Sequence, residues 1–121
     1  VLLPLYPQFS TTTTASSVME WHEQARRAGL TVPTSVICCW PDQAGFIGAI
    51  VGQVRRVLDE MGAAPRLLFS AHGLPQKLVD GGDPYQWQVE RSVDSAVAAL
   101  NMPSLDYRIC YQSRFGPRLW L

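Results

Sequence analysis

Four short apolar runs alternate with three stretches of helical periodicity, and this alternation leaves the chain few ways to fold. Val1–Tyr6, Ser35–Trp40, Arg66–Ala71 and Asp106–Gln112 are apolar, β-branched or aromatic in character and too short for helices. Between them, residues 17–28, 42–61 and 83–100 place apolar side chains three and four positions apart. A strand–helix alternation uses crossover connections, which pair strands in parallel. The order β-α-β-α-β-α-β therefore predicts an α/β fold with a Rossmann-like parallel sheet.

Local signals punctuate the helices. Ser17-Val18-Met19-Glu20 reads as a capping box for the first, with Val18, Trp21, Ala25 and Ala28 on one face and Gly29 as its stop. Asp42 is expected to open the second and longest helix. Phe46, Ile47, Ile50, Val51, Val54, Val57, Leu58 and Met61 form its apolar face, and Gly62 ends it. Gly48 and Gly52 lower its intrinsic stability and are expected to offset that cost by close packing. Asp83-Pro84 opens the third helix, with Asp83 as N-cap, Pro84 at the first helical position and Gln86 in the box position. Its stripe is Tyr85, Val89, Val93, Ala96 and Leu100.

Composition excludes several classes. The 121 residues are 47% hydrophobic, too apolar for a disordered chain. Ten basic residues balance ten acidic ones, so no basic excess recruits nucleic acid. Charged residues make up 17%, below the usual quarter. That shortage predicts faces that meet the remainder of the same chain, as do the apolar ends and the lack of an initiator Met. The reading is a segment of a longer protein. No secretory signal is visible. Residues 1–19 carry no charge, but Pro4, Pro7, Gln8 and the Thr/Ser run spoil them as a span, and membrane association stays open. Cys38, Cys39 and Cys110 are odd in number, and vicinal cysteines bridge only with strain. They read as small buried residues on strands, which fits a reducing, cytoplasmic location.

Ligands of open parallel α/β sheets bind beyond the carboxyl ends of the strands. The chemically distinctive residues fall there: Tyr6–Ser17, Trp40-Pro41-Asp42, His72-Gly73 and Gln112–Trp120. His72 ends a hydrophobic strand, where an imidazole can ligate a metal, accept a proton or simply bond a backbone carbonyl. His22, among Glu20, Glu23 and Gln24, reads as a surface residue. Ser10–Thr14 can cap a helix or hold an anion at its N-terminus. GxGxxG, Walker, HExxH, CxxC and nucleophile-elbow motifs are all missing.

Four blocks in order resemble the ferrochelatases. They are Leu5-Tyr6-Pro7-Gln8-Phe9-Ser10-Thr11-Thr12-Thr13, Leu68-Phe69-Ser70-Ala71-His72-Gly73-Leu74-Pro75, Gly82-Asp83-Pro84-Tyr85, and Tyr111-Gln112-Ser113-Arg114-Phe115-Gly116-Pro117 with Trp120-Leu121. Each block is short, but their joint order is specific. The resemblance implies a chelatase-type fold, here partial, with residues 1–45 ending one α/β domain and 46–121 starting a second. It implies insertion of ferrous iron into protoporphyrin IX in haem biosynthesis, with both as substrates and no permanently bound cofactor. It places His72 at the family's essential histidine, a proton acceptor and metal ligand. Ser113 and Trp120 fall near the porphyrin, and Tyr6, Ser10 and Thr13 on the loop facing the cleft. The family's acidic metal-site residue lies beyond Leu121. Thr11 stands where cluster-bearing members have cysteine, so no iron–sulfur cluster is expected. A cobalt chelatase of the same fold, or a non-catalytic porphyrin- or haem-binding module, are the alternatives.

Overall fold

The computed structural model describes residues 1–62 and 65–121. A π-helical turn, Thr11–Ala15, runs directly into α1, Ser16–Arg27. Then follow α2 (Ala44–Met61), β1 (Leu67–His72), a short α3 (Gln76–Asp80), α4 (Tyr85–Leu100) and β2 (Tyr107–Gln112). The strands β1 and β2 pair in parallel across the α4 crossover, with Leu67 opposite Tyr107 and His72 opposite Gln112. The two earlier apolar runs also meet in parallel, but only at one bridge, Leu2 to Val36. Hydrogen bonds from Leu2 N to Ser35 O (2.8 Å) and from Ile37 N to Leu2 O (3.0 Å) hold it. The expected alternation and parallel pairing are present, as two separate small pairings.

The core lies where α2 crosses α4. Ile47, Val51, Ala96 and Leu100 are buried there, and Phe46, Ile50, Val54, Leu67, Phe69 and Leu105 pack around them. Most of these are apolar positions that the helical spacing marks. Each large apolar side chain, once buried, contributes about 1.5–3 kcal/mol by removing apolar area from water. Ala96 is 0% exposed, which sets how closely the helices approach. The strand β1 alternates between half-buried and exposed residues. Leu67, Phe69 and Ala71 face the helices, while Leu68, Ser70 and His72 face outward.

Three helix starts differ from the sequence reading. The first helix begins at Thr11, not Ser17. Ser10, in extended conformation, caps it by accepting from the Thr12 amide, so Ser17 lies within the first turn of α1. The α2 cap is Gln43, whose side chain accepts from Phe46 N at 2.9 Å. Asp42 instead pairs with Arg91, whose hydrogen bond holds the Asp42 carboxyl below the usual range. Gln86 does not close a box; its amide donates to Glu90 at 3.0 Å. Gly48 and Gly52 do not sit at a tight contact either: a Cβ added at either would meet nothing within 4 Å.

The cysteines are also placed differently. Cys38 is exposed, Cys39 and Cys110 are half-buried, and only Cys110 lies on a regular strand. The pair at 38–39 has left the ladder, because Trp40 turns back to donate to Pro7 O (2.8 Å) and Pro4 O (3.2 Å). Among the described residues no helix is long and apolar enough to cross a membrane.

Candidate functional site

A cleft of about 310 Å³ opens at the carboxyl end of β1. Its walls are Phe46 and Ile50 from α2, Phe69–His72 from β1, and Tyr85, Val89, Ser92, Val93 and Ala96 from α4, with Gln8 at one side. His72 is the last residue of β1 and is exposed on the outward face. Its imidazole makes no side-chain hydrogen bond among the described residues, so both ring nitrogens are open to a proton or a metal. No three His, Cys, Asp or Glu side chains among the described residues converge to hold a metal.

Gly73 explains how the chain turns away beside His72. Its amide donates to Gln112 O at 2.7 Å. A Cβ at Gly73 would lie 2.9 Å from that same oxygen and 3.5 Å from the Trp120 ring. Only glycine allows this approach, which seats residues 119–121 against 74–76. Gln76 N donates to Leu119 O, Leu121 N donates to Leu74 O, and Pro75 bridges Trp120. The Trp120 indole donates to Phe115 O at 2.9 Å, closing the loop on itself. Ser113, directly after β2, has a φ of 69°, a left-handed conformation uncommon for a side chain other than glycine. His72, Ser113 and Trp120 therefore gather at the ends of the two paired strands.

Tyr6, Ser10 and Thr13 belong to a second segment. Tyr6 is exposed and lines a different cleft with Leu5, Val18 and Trp21. Thr13 is half-buried, and its carbonyl accepts from the Ser16 hydroxyl. Ser10 is buried and its hydroxyl donates to Asp83 Oδ2 at 2.9 Å. The same oxygen accepts from Thr11 N at 2.7 Å and from the Thr11 hydroxyl at 2.6 Å. Asp83 Oδ1 accepts from Tyr85 N at 3.0 Å. One carboxylate thus caps two helix N-termini, and the anion at the Ser10–Thr14 helix start is the protein's own. Burial pushes the Asp83 pKa up, but these donors outweigh it and hold it below the usual carboxylate range.

Further links tie this segment to α4. Phe9 N donates to Gln88 Oε1 at 2.6 Å, and the Gln8 amide donates to Ser92 Oγ at 2.8 Å. Ser92 in turn donates to Pro41 O at 2.6 Å. The sequence marks Asp83 as a cap for α4. It gives no sign of the second role of Asp83, or of those of Gln88 and Ser92, because polar residues on an amphipathic helix read as solvent-facing. All three are buried.

Tyr85 lines this cleft, and Tyr111 lies close to Tyr85 and Glu90. Burial raises the Tyr85 hydroxyl, partly offset by a hydrogen bond with the His72 backbone. Tyr111 is pushed up to about 12 by burial, with Glu90 and Tyr85 adding to it, and its buried hydroxyl has no partner among the described residues.

The family model described as ferrochelatase matches residues 1–121. A ferrochelatase of Rickettsia bellii (strain OSU 85-389) is 48% identical over 121 residues, all of this chain and 33% of that protein. The ferrochelatase of Pelagibacter ubique (strain HTCC1062) is 44% identical over the whole chain and 35% of its own length. That of Wolbachia pipientis wMel is 47% identical over 124 residues, all of this chain and 39% of its own length. The chain spans roughly a third of the length of these curated relatives.

Proposed function

The chain belongs to the ferrochelatase family, and we propose that it is the His72-bearing portion of an enzyme that inserts ferrous iron into protoporphyrin IX to form haem. The observation that carries this reading is His72 itself: its imidazole unpaired among the described residues, exposed, and set at the mouth of a cleft at the carboxyl end of β1. Two pyrrole N–H protons must leave as the metal enters. A neutral imidazole at one face of the macrocycle either takes such a proton or, with that nitrogen still unprotonated, ligates the iron. Trp120, held beside Gly73, supplies an aromatic wall next to that base. Ser113, in its strained conformation, offers a hydroxyl toward the porphyrin. The acidic partner of His72 belongs to the part of the enzyme beyond this chain.

Tyr6, Ser10 and Thr13 contribute through the segment that Asp83 holds to α4. Tyr6, exposed in the separate cleft with Leu5, Val18 and Trp21, is the porphyrin contact proposed for that segment, while Ser10 and Thr13 set the path of the loop. No iron–sulfur cluster is expected on this portion by itself, since a cluster takes four thiolates and the chain has three cysteines. Free thiols support a reducing, cytoplasmic location.

The test is metal insertion by the full-length enzyme, supplied anaerobically with ferrous iron and protoporphyrin. Repeated turnover, read as lost porphyrin fluorescence and gained haem absorbance, is the expected result. Stoichiometric porphyrin binding without metallation would leave only a binding module.

A further inference from the structure

Adjacent residues in an extended strand point to opposite faces. Cys38 and Cys39 do not. Their Sγ atoms lie side by side, 2.7 Å apart. The cause is local: Ile37 N is the last tie to Leu2, and Trp40 N is already bound to Pro7 O. Two residues must bridge these anchors, and in doing so they turn both thiols to one side. Cys38 is exposed, and Cys39 also accepts from the Gln88 amide at 3.6 Å. Cys110 lies apart on β2, its thiol directed to Phe69 O at 3.7 Å.

We propose that Cys38 and Cys39 form a vicinal dithiol that captures trivalent arsenicals, a thiophile site separate from the His72 cleft. The chemistry needs no oxidant. A monosubstituted arsenic(III) oxide condenses with the two thiols: two As–S bonds form, two S–H bonds break, and the oxygen leaves as water with both protons. Arsenic stays trivalent. One atom spanning two sulfurs also avoids the dihedral that a bond between neighbouring cysteines would strain. Holding both thiols on one side makes the second As–S bond intramolecular, which is the source of the affinity. The bridge forms beside Gln88, the residue that holds Phe9, so loading the site is felt by the segment packed on α4.

The probe is phenylarsine oxide, added to reduced full-length enzyme. The expected result is one arsenical per chain with loss of two free thiols, reversed by 2,3-dimercaptopropanol and not by a monothiol. Peptide mapping of the unmutated adduct should place arsenic on the 38–39 peptide. Cys38→Ser and Cys39→Ser should each weaken capture by roughly 100-fold or more, the loss of the second linked bond, while Cys110→Ser leaves it unchanged. An arsenical mapped elsewhere, no thiol loss, or capture that survives both single substitutions overturns the proposal.

Discussion

Asp83 is where a single side chain decides the most. Its Oδ2 takes three donors and its Oδ1 a fourth. An amide cannot replace it, since whichever way Asn is turned its NH₂ faces a donor. Asp83→Asn is expected to cost about 1–3 kcal/mol, the range for hydrogen bonds to a charged group left unmade in a buried place. The folded carboxyl has the lower pKa, so the unfolded chain protonates first. The stability from Asp83 is therefore full above about pH 4 and is lost as pH falls through the folded value. Chemical denaturation of the full-length enzyme across acidic pH should show that loss in the native protein and a flatter profile in Asp83→Asn. Tyr111 makes the opposite case, a buried hydroxyl with nothing to bond among the described residues. Tyr111→Phe is expected to melt at or above the native temperature. It should also remove the pH dependence that a buried tyrosine adds between about pH 10, the ordinary tyrosine value, and its own value of about 12. There the folded pKa is the higher one, so stability is full below pH 10 and falls as pH rises toward 12. Cys38 and Cys39 are legible in the sequence as unbridged, but not as a converging pair, because nothing in it announces the turn forced by Trp40.

At the scale of elements, sequence periodicity carries the helices well. The stripe of α4 matches closely, since Val89, Val93, Ala96 and Leu100 are all buried. Helix starts are less legible, because caps are chosen by distant partners. Ser17-Val18-Met19-Glu20 satisfies a local rule, yet Ser10 wins because Asp83, 73 positions away, fixes its hydroxyl. The glycines of α2 mislead in the same way: their spacing suggests an interface, and the structure leaves them facing open space. Gly48→Ala and Gly52→Ala are thus each expected to stabilise α2 by about 0.5–1 kcal/mol, through propensity alone. Thermal melts that fall instead would place another part of the enzyme against that face. The short β-runs are legible as parallel strands, but a single bridge at Leu2–Val36 is all that forms between the first two.

Across the whole molecule, a chain spanning about a third of its relatives' length leaves large apolar side chains in water. Leu5 is 80% exposed, Phe115 82% and Leu119 70%, and Leu68 lies on the uncovered face of β1 at 64%. Apolar area left in water costs about 25 cal/mol per Å², so a few hundred Å² amounts to roughly 5–10 kcal/mol, the scale of a domain's stability. The 121-residue chain by itself is expected to self-associate and to melt without a sharp transition, measured by light scattering and calorimetry. The low charge content of the sequence already points to these faces. It does not reveal which residues of the proposed site the fold brings together: His72, Ser113 and Trp120 gather, while Tyr6, Ser10 and Thr13 arrive on a separate segment pinned by Asp83. The central claim is that His72 serves iron insertion and not merely the fold. In the full-length enzyme, His72→Ala should lower kcat for ferrous insertion by roughly 100-fold or more, the usual worth of a positioned base, while circular dichroism and porphyrin binding stay native. A variant that folds, binds porphyrin and still metallates it near the native rate would contradict the account.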